Sequence, residues 1–232
     1  MTLVWAVLLA ATIAPWSAAP PGGALPEGWR ALFPPKAAHA ELAVVEDGGA
    51  RVLRVRSRNA AGAASFEIAG DTPPRPMLAW RWKVDRVVGA ADLTRREGDD
   101  FAARMYVFFD MPVEALPFGA RAKVALARIF YGESLPTAGL CYVWDNRHPP
   151  GTSAWNPYTD RVRTVVLRSG GASAGQWVEE RRDLQRDFEA AFGEQWRKPM
   201  PRVSGVAAGN DTDQTGESAT AWFGDVRLEG AP

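Results

Sequence analysis

Cysteine and histidine are nearly missing from this chain, and with them go many of the side chains that do chemistry near neutral pH. One cysteine, Cys141, excludes an intrachain disulfide. It sits in the apolar run AGLCYVWD, where a small buried hydrophobe is expected rather than a nucleophile. The two histidines, His39 and His148, lie far from it in sequence and read as surface or loop-bracing residues. An excess of either charge is also lacking: 27 Lys and Arg balance 27 Asp and Glu, so no net field gathers phosphates, and nucleic acid is not an expected partner. No apolar run reaches the roughly 20 residues that cross a bilayer, so an integral membrane protein is not expected. The Gly-x-Ser-x-Gly elbow, the His-Glu-x-x-His helix, the P-loop and the dinucleotide Gly-x-Gly-x-x-Gly are all missing.

What is present begins with MTLVWAVLLAATIAPWSAAPPGG, an apolar run followed by a proline break and small residues. It reads as a signal peptide over residues 1–19, with a cut as late as 24, then a Pro/Gly-rich leader at 20–28 and one domain over 29–232. An exported protein, periplasmic or secreted, is the expectation.

Within that domain, short runs with period-two alternation recur between Gly, Pro and Asp, the pattern of an all-β chain. A jelly-roll-like β-sandwich of about nine to ten strands is expected. Asp47-Gly48-Gly49 in ELAVVEDGGARVLRVRS reads as a hairpin turn. Two segments rich in helix formers, residues 119–130 and Leu184 to Phe192, predict one or two short helices.

DFAARMYVFFD is the most informative strand. Alternation sends Phe101, Ala103, Met105, Val107 and Phe109 to the core, and Asp100, Arg104, Tyr106 and Phe108 to the other face. Asp100 and Arg104 are about 13 Å apart along an extended strand, so each needs a partner from elsewhere. Trp80 with Trp82, and Trp222 with Val226 and Leu228, are expected in the core; Trp144 and Trp155, which bracket a long polar loop, are expected to offer a ligand surface.

NDTDQTGE, residues 210–217, invites comparison with a calcium loop. Counted from Asp211, however, the twelfth place is Trp222 where a bidentate Glu is required, so it is not an EF-hand. A smaller calcium site on Asp211, Asp213 and Glu217 and a plain hairpin turn both stay open. Paired aspartates among Asp99, Asp100, Asp145, Asp211, Asp213 and Asp225 also leave glycoside cleavage open.

The phrases WRWKV, GDDFAARMYVFF, LCYVWDN with NPYT, DFEAAFGE and NDTDQTGESATAWFGDV together resemble a bacterial domain-of-unknown-function family, number 3047. The resemblance implies export and a β-sandwich like those of galactose-binding and carbohydrate-binding jelly rolls, and no reaction. The leading expectation is a non-enzymatic protein that binds a glycan or other cell-envelope component through Asp100, Arg104, Tyr106, Trp144, Asp145, Asn146, Trp155, Asn156, Asp211 and Asp213, with no cofactor beyond calcium. A hydrolase or lyase using paired aspartates is the alternative, and a structural envelope protein the third.

Overall fold

The computed structural model describes residues 13–20, 23–115, 121 and 137–231. Among the described residues the alternating runs become fourteen strands and one α-helix. The strands are β1 (Trp29–Leu32), β2 (Ala38–His39), β3 (Glu41–Asp47), β4 (Ala50–Arg58), β5 (Ala60–Glu67), β6 (Pro76–Val84) and β7 (Phe101–Phe109). They continue as β8 (Ala138–Asp145), β9 (Ser153–Trp155), β10 (Val162–Ser169), β11 (Val178–Asp183), β12 (Val203–Asp211), β13 (Ser218–Phe223) and β14 (Arg227–Gly230). They build a jelly-roll-like sandwich. An eight-stranded sheet runs β1-β5-β12-β7-β8-β10-β9 with β2 on β5; a six-stranded sheet runs β11-β6-β13-β4-β3 with β14 on β6. No described helix is long and apolar enough to cross a membrane.

Local chemistry explains the connections. Gly48 and Gly49, with φ of 61° and 78°, close the β3–β4 hairpin in the two-residue turn whose twist suits the strands. The helix α1 (Leu184–Phe192) starts at Asp183, whose carboxylate accepts the Arg186 amide at 3.1 Å, and buries Leu184, Phe188 and Phe192 along one stripe. The other expected helix, at 119–130, falls outside the described residues except for residue 121.

The core lies between the sheets, where Trp80 packs on Tyr142 at 5.5 Å and Trp82 on Trp144 at 6.0 Å between ring centroids. Trp80 and Trp82 are where the alternation put them. Trp222 is not: Ala219, Ala221 and Phe223 take the core positions of β13, and Trp222 lies half-buried on the outer face beside Lys83. A β-bulge corrects β7 as well. Three steps on β7, from Phe101 to Arg104, match two on β12, from Asp211 to Gly209, so Phe101 turns to the outer face where Arg104 sits.

One further expectation changes. NDTDQTGE is no hairpin, because β12 and β13 belong to different sheets and the stretch arches between them. Residues 13–19 of the full chain pack against the sandwich. Trp16 is 0 % exposed and 3.9 Å from the Trp29 ring, and Ser17 donates twice to Asp225, at 2.9 and 2.6 Å.

Candidate functional site

The site begins where the chain enters β7. Asp99 and Asp100 precede the strand, and its bulge sets Arg104 on the outer face of the eight-stranded sheet, opposite Gly209 of β12. Arg104 is 3 % exposed and its guanidinium is almost fully engaged. Nε donates to Asp211 Oδ1 at 2.7 Å, and Nη2 donates to Asp211 Oδ2 at 2.6 Å and to Asp99 Oδ1 at 3.2 Å. Nη2 also donates to the Asp99 carbonyl, and Nη1 donates to the Tyr106 hydroxyl at 3.3 Å. Asp211 Oδ1 accepts the Phe101 amide at 2.9 Å besides, and the Phe101 ring lies 4.6 Å from the guanidinium. A buried cation held this way is a brace between two strands and a loop.

Asp100 holds the arch. Its carboxylate accepts the Gln214 and Thr215 amides at 3.3 and 2.6 Å. Asp100, Asp211 and Asp213 converge, with oxygens all within 4.8 Å of one another. That is the oxygen set a hard cation asks for, although both Asp211 oxygens already serve Arg104. Glu217, expected as a third ligand, turns away and accepts the Gly89 and Ala90 amides at 3.0 and 2.8 Å. Asp100 stands in its place.

Crowded acids shape the electrostatics. Burial, reinforced by Asp99 and Asp100, pushes the Asp211 carboxyl up to about 7 against the pull of Arg104. Burial and Asp100 also raise Asp213, and burial raises the Tyr106 phenol. Cys141, opposite Tyr106 on β8, is pushed up to about 12 by burial, which fits an inert thiol.

Aromatic rings continue from this cluster. Tyr106 and Phe108 follow Arg104 on the same face of β7 at two-residue steps of about 6.6 Å. Both are half-buried, and their rings stack at 5.7 Å with planes 14° apart. They stand on a floor of small residues: Ala207 and Gly205 on β12, Cys141 and Gly139 on β8, Ala63 and Ser65 on β5. Gly209 has to be glycine there, since a Cβ would collide with the Gly62 carbonyl. Thr164, next to Cys141 in register, is 1 % exposed and its hydroxyl has no partner. Tyr158, 54 % exposed, stands beside the acids: its amide donates to Asn156 Oδ1 at 3.0 Å, and Asn156 Nδ2 donates to Asp99 Oδ2 at 2.8 Å.

Of the ten residues expected at a site, six come together: Asp100, Arg104, Tyr106, Asn156, Asp211 and Asp213. Trp144, expected on a ligand surface, is instead 1 % exposed in the core with its indole N–H on the Gly170 carbonyl at 3.0 Å. Asp145 is fully buried and accepts the Arg147 and His148 amides at 2.7 and 2.6 Å, with His148 Nδ1 at 3.1 Å. Asn146 donates to the Gly89 and Ala91 carbonyls at 2.7 and 3.1 Å, so this pair braces loops. Trp155 packs on Phe192 at 5.5 Å under the Arg163 guanidinium. Asp225 joins Ser17 instead of the acids. Phe108, Thr164 and Tyr158 were not singled out from the sequence; the small-residue run VSGVAAG, whose Gly205 lies opposite Phe108, is the signal that was there to read for the first of them.

A family model described as "Protein of unknown function (DUF3047)" matches residues 27–227. No curated protein matches. Among solved structures, the chain is similar to the xyloglucanase domain of NopAA from Sinorhizobium fredii, at 8 % identity over 90 % of this chain and 97 % of that one, with a TM-score of 0.49. It is also similar to the catalytic domain of Cel12A from Humicola grisea, at 12 % identity over 90 % and 95 % of the two chains, with a TM-score of 0.43. Endoglucanase Cel12A from Rhodothermus marinus gives 10 % identity, 87 % and 91 % coverage, and a TM-score of 0.44.

Proposed function

The chain belongs to the DUF3047 family, and from that premise we propose that it is an exported glycan-binding protein whose ligand lies on the outer face of the eight-stranded sheet. One observation carries the reading: a ladder of rings, Tyr106 and Phe108, rises from a Gly/Ala floor directly beside a polar cluster, with the exposed Tyr158 at its edge. Sugar rings offer an apolar face that stacks on aromatics and a rim of hydroxyls that seeks carboxylates and amides. Asp213, Asn156 and the Tyr158 hydroxyl supply that rim, while Arg104 and Asp211 hold it in place.

Binding is favoured over cleavage by the state of Asp211. A catalytic acid or base needs an oxygen free to meet substrate, and both Asp211 oxygens accept from Arg104. Calcium at Asp100, Asp211 and Asp213 is a separate part of the proposal, with the role of stiffening the arch rather than meeting sugar.

The test is affinity electrophoresis of the protein in gels containing soluble glucans, xylans and uronic-acid polymers, with and without calcium. Retardation by at least one polymer, lost on Tyr158→Ala, is expected; no retardation in any gel sinks the proposal. Reducing-end release by the wild type that is lost on Asp213→Asn would replace binding with hydrolysis. Intact-mass measurement of the exported protein checks the proposed removal of residues 1–19.

A further inference from the structure

Residues 13–19, Ile-Ala-Pro-Trp-Ser-Ala-Ala, lie in a groove of the sandwich that holds both their main chain and their side chains. Trp16–Ala18 form a single 3₁₀ turn. Trp16 and Ala19 are 0 % exposed, and the Trp16 ring lies 3.9 Å from the Trp29 ring of β1. Three side chains of the sandwich anchor the segment. The Trp29 indole N–H donates to the Ala14 carbonyl at 2.7 Å, and Arg51 Nη1 donates to the Ala19 carbonyl. Asp225 accepts from Ser17 twice, from its amide at 2.9 Å and from its hydroxyl at 2.6 Å.

With residues 1–19 removed on export, as proposed for this chain, the groove is empty. Its lining then changes character. Trp29 loses the acceptor of its indole N–H, and Arg51 loses the carbonyl it held. Asp225 loses both hydrogen bonds that its carboxylate makes among the described residues. A departing tryptophan side chain leaves about 150–250 Å² of apolar contact unfilled. Apolar surface rimmed by polar groups in this way marks a docking site.

We propose that in the exported chain this groove docks a peptide segment of another protein, built like the segment that leaves: an aromatic residue, Ser or Thr directly after it, and a small residue three places beyond the aromatic. A peptide is the occupant because the anchors hold main-chain groups, the carbonyls of residues 14 and 19 and the amide of Ser17. A lipid tail would leave all of them unpaired, and a second copy of the exported chain lacks the segment as well. The aromatic is read by shape alone, since the Trp16 indole N–H has no acceptor, so Phe serves in place of Trp. Ser or Thr follows because Asp225 takes the hydroxyl together with the amide. The last place is small because Ala19 is fully enclosed.

The test is isothermal titration calorimetry of the mature chain, residues 20–232, with the end-capped peptide IAPWSAA. Saturable binding is expected, and none with the full chain, whose groove is filled. Trp16→Ala in the peptide should abolish binding, and Trp16→Phe should retain it. Ser17→Ala in the peptide and Asp225→Ala in the protein should each weaken binding about tenfold, and the two together little more than either alone. Asp225 is partly exposed, so its replacement should leave the melting temperature of the mature chain unchanged. The docking is overturned if the folded mature chain ignores the peptide, if the Trp16→Ala peptide binds equally, or if light scattering shows a dimer that the peptide does not enter. A mature chain that fails to fold overturns it too, because the segment then belongs to the sandwich. Intact mass separates premise from inference: an exported chain that keeps residues 13–19 refutes both, whereas one that has lost them and binds no peptide refutes the docking alone.

Discussion

The two outer faces of the sandwich carry opposite chemistry. On the eight-stranded sheet one arginine is locked among acids, and rings stand on glycine and alanine. On the six-stranded sheet basic groups line the surface and partner tryptophan: Lys83 lies 4.6 Å from the Trp222 ring and 5.2 Å from Trp177, while Arg81 covers Trp177. The difference lies in commitment as well as in sign. Arg104 has spent nearly every donor inside the fold, whereas Arg181 has spent none. A buried, saturated charge is architecture, and an exposed, unspent one is left to water.

The sharpest way to break this contrast is to remove one arginine from each face. Arg104→Ala leaves Asp99 and Asp211 facing each other without a cation and is expected to cost about 3–5 kcal/mol in urea unfolding. Arg181→Ala is expected to stay within about 0.5 kcal/mol. Equal costs would erase the distinction.

A pH series sharpens the acidic side. The folded Asp211 carboxyl sits at about 7 against 3.8 for the ordinary group, so the folded state holds that proton more tightly than the unfolded state. Its contribution to stability is complete below pH about 4 and is lost as pH rises through about 7. Wild type should lose melting temperature against Asp211→Asn between pH 4.5 and 7.5; parallel curves would contradict the burial-driven shift. Calcium at the acid cluster should recover part of that loss above pH 7.

The basic side offers a smaller effect. The Lys83 ammonium donates to Asp47 Oδ2 at 2.6 Å, and this bond, largest among the causes, holds the Asp47 carboxyl below its usual range. Lys83→Met is expected to cost about 1 kcal/mol, because the pair is only partly shielded and two ring contacts go with it. A cost near that of Arg104→Ala would show that the six-stranded face is braced as firmly as the other.

Much of this arrangement was legible in the sequence, for identifiable reasons. Asp47-Gly48-Gly49 announced its hairpin because only glycine accepts positive φ cheaply. Arg104 was marked as needing a partner, since an arginine among apolar neighbours on a strand cannot reach Asp100, and Asp211 proved to be that partner. Trp144 was misjudged because β8 is buried on both faces, which leaves alternation nothing to report. Trp222 was misjudged because alanines filled the core side of β13 opposite larger residues, reversing the apparent phase. Phe101 moved with a bulge, and Glu217 with the arch from one sheet to the other. Both depend on pairing between distant strands, which local periodicity does not contain.

The most direct test of the central claim compares wild type and Tyr158→Ala in glycan affinity electrophoresis, with urea unfolding of both proteins alongside. Tyr158 is exposed, so its loss should leave stability within about 0.5 kcal/mol while retardation by the glycan disappears. Unchanged retardation, or a wild type that migrates freely through every glycan, would contradict a ligand face built on the rings beside Asp213 and Asn156.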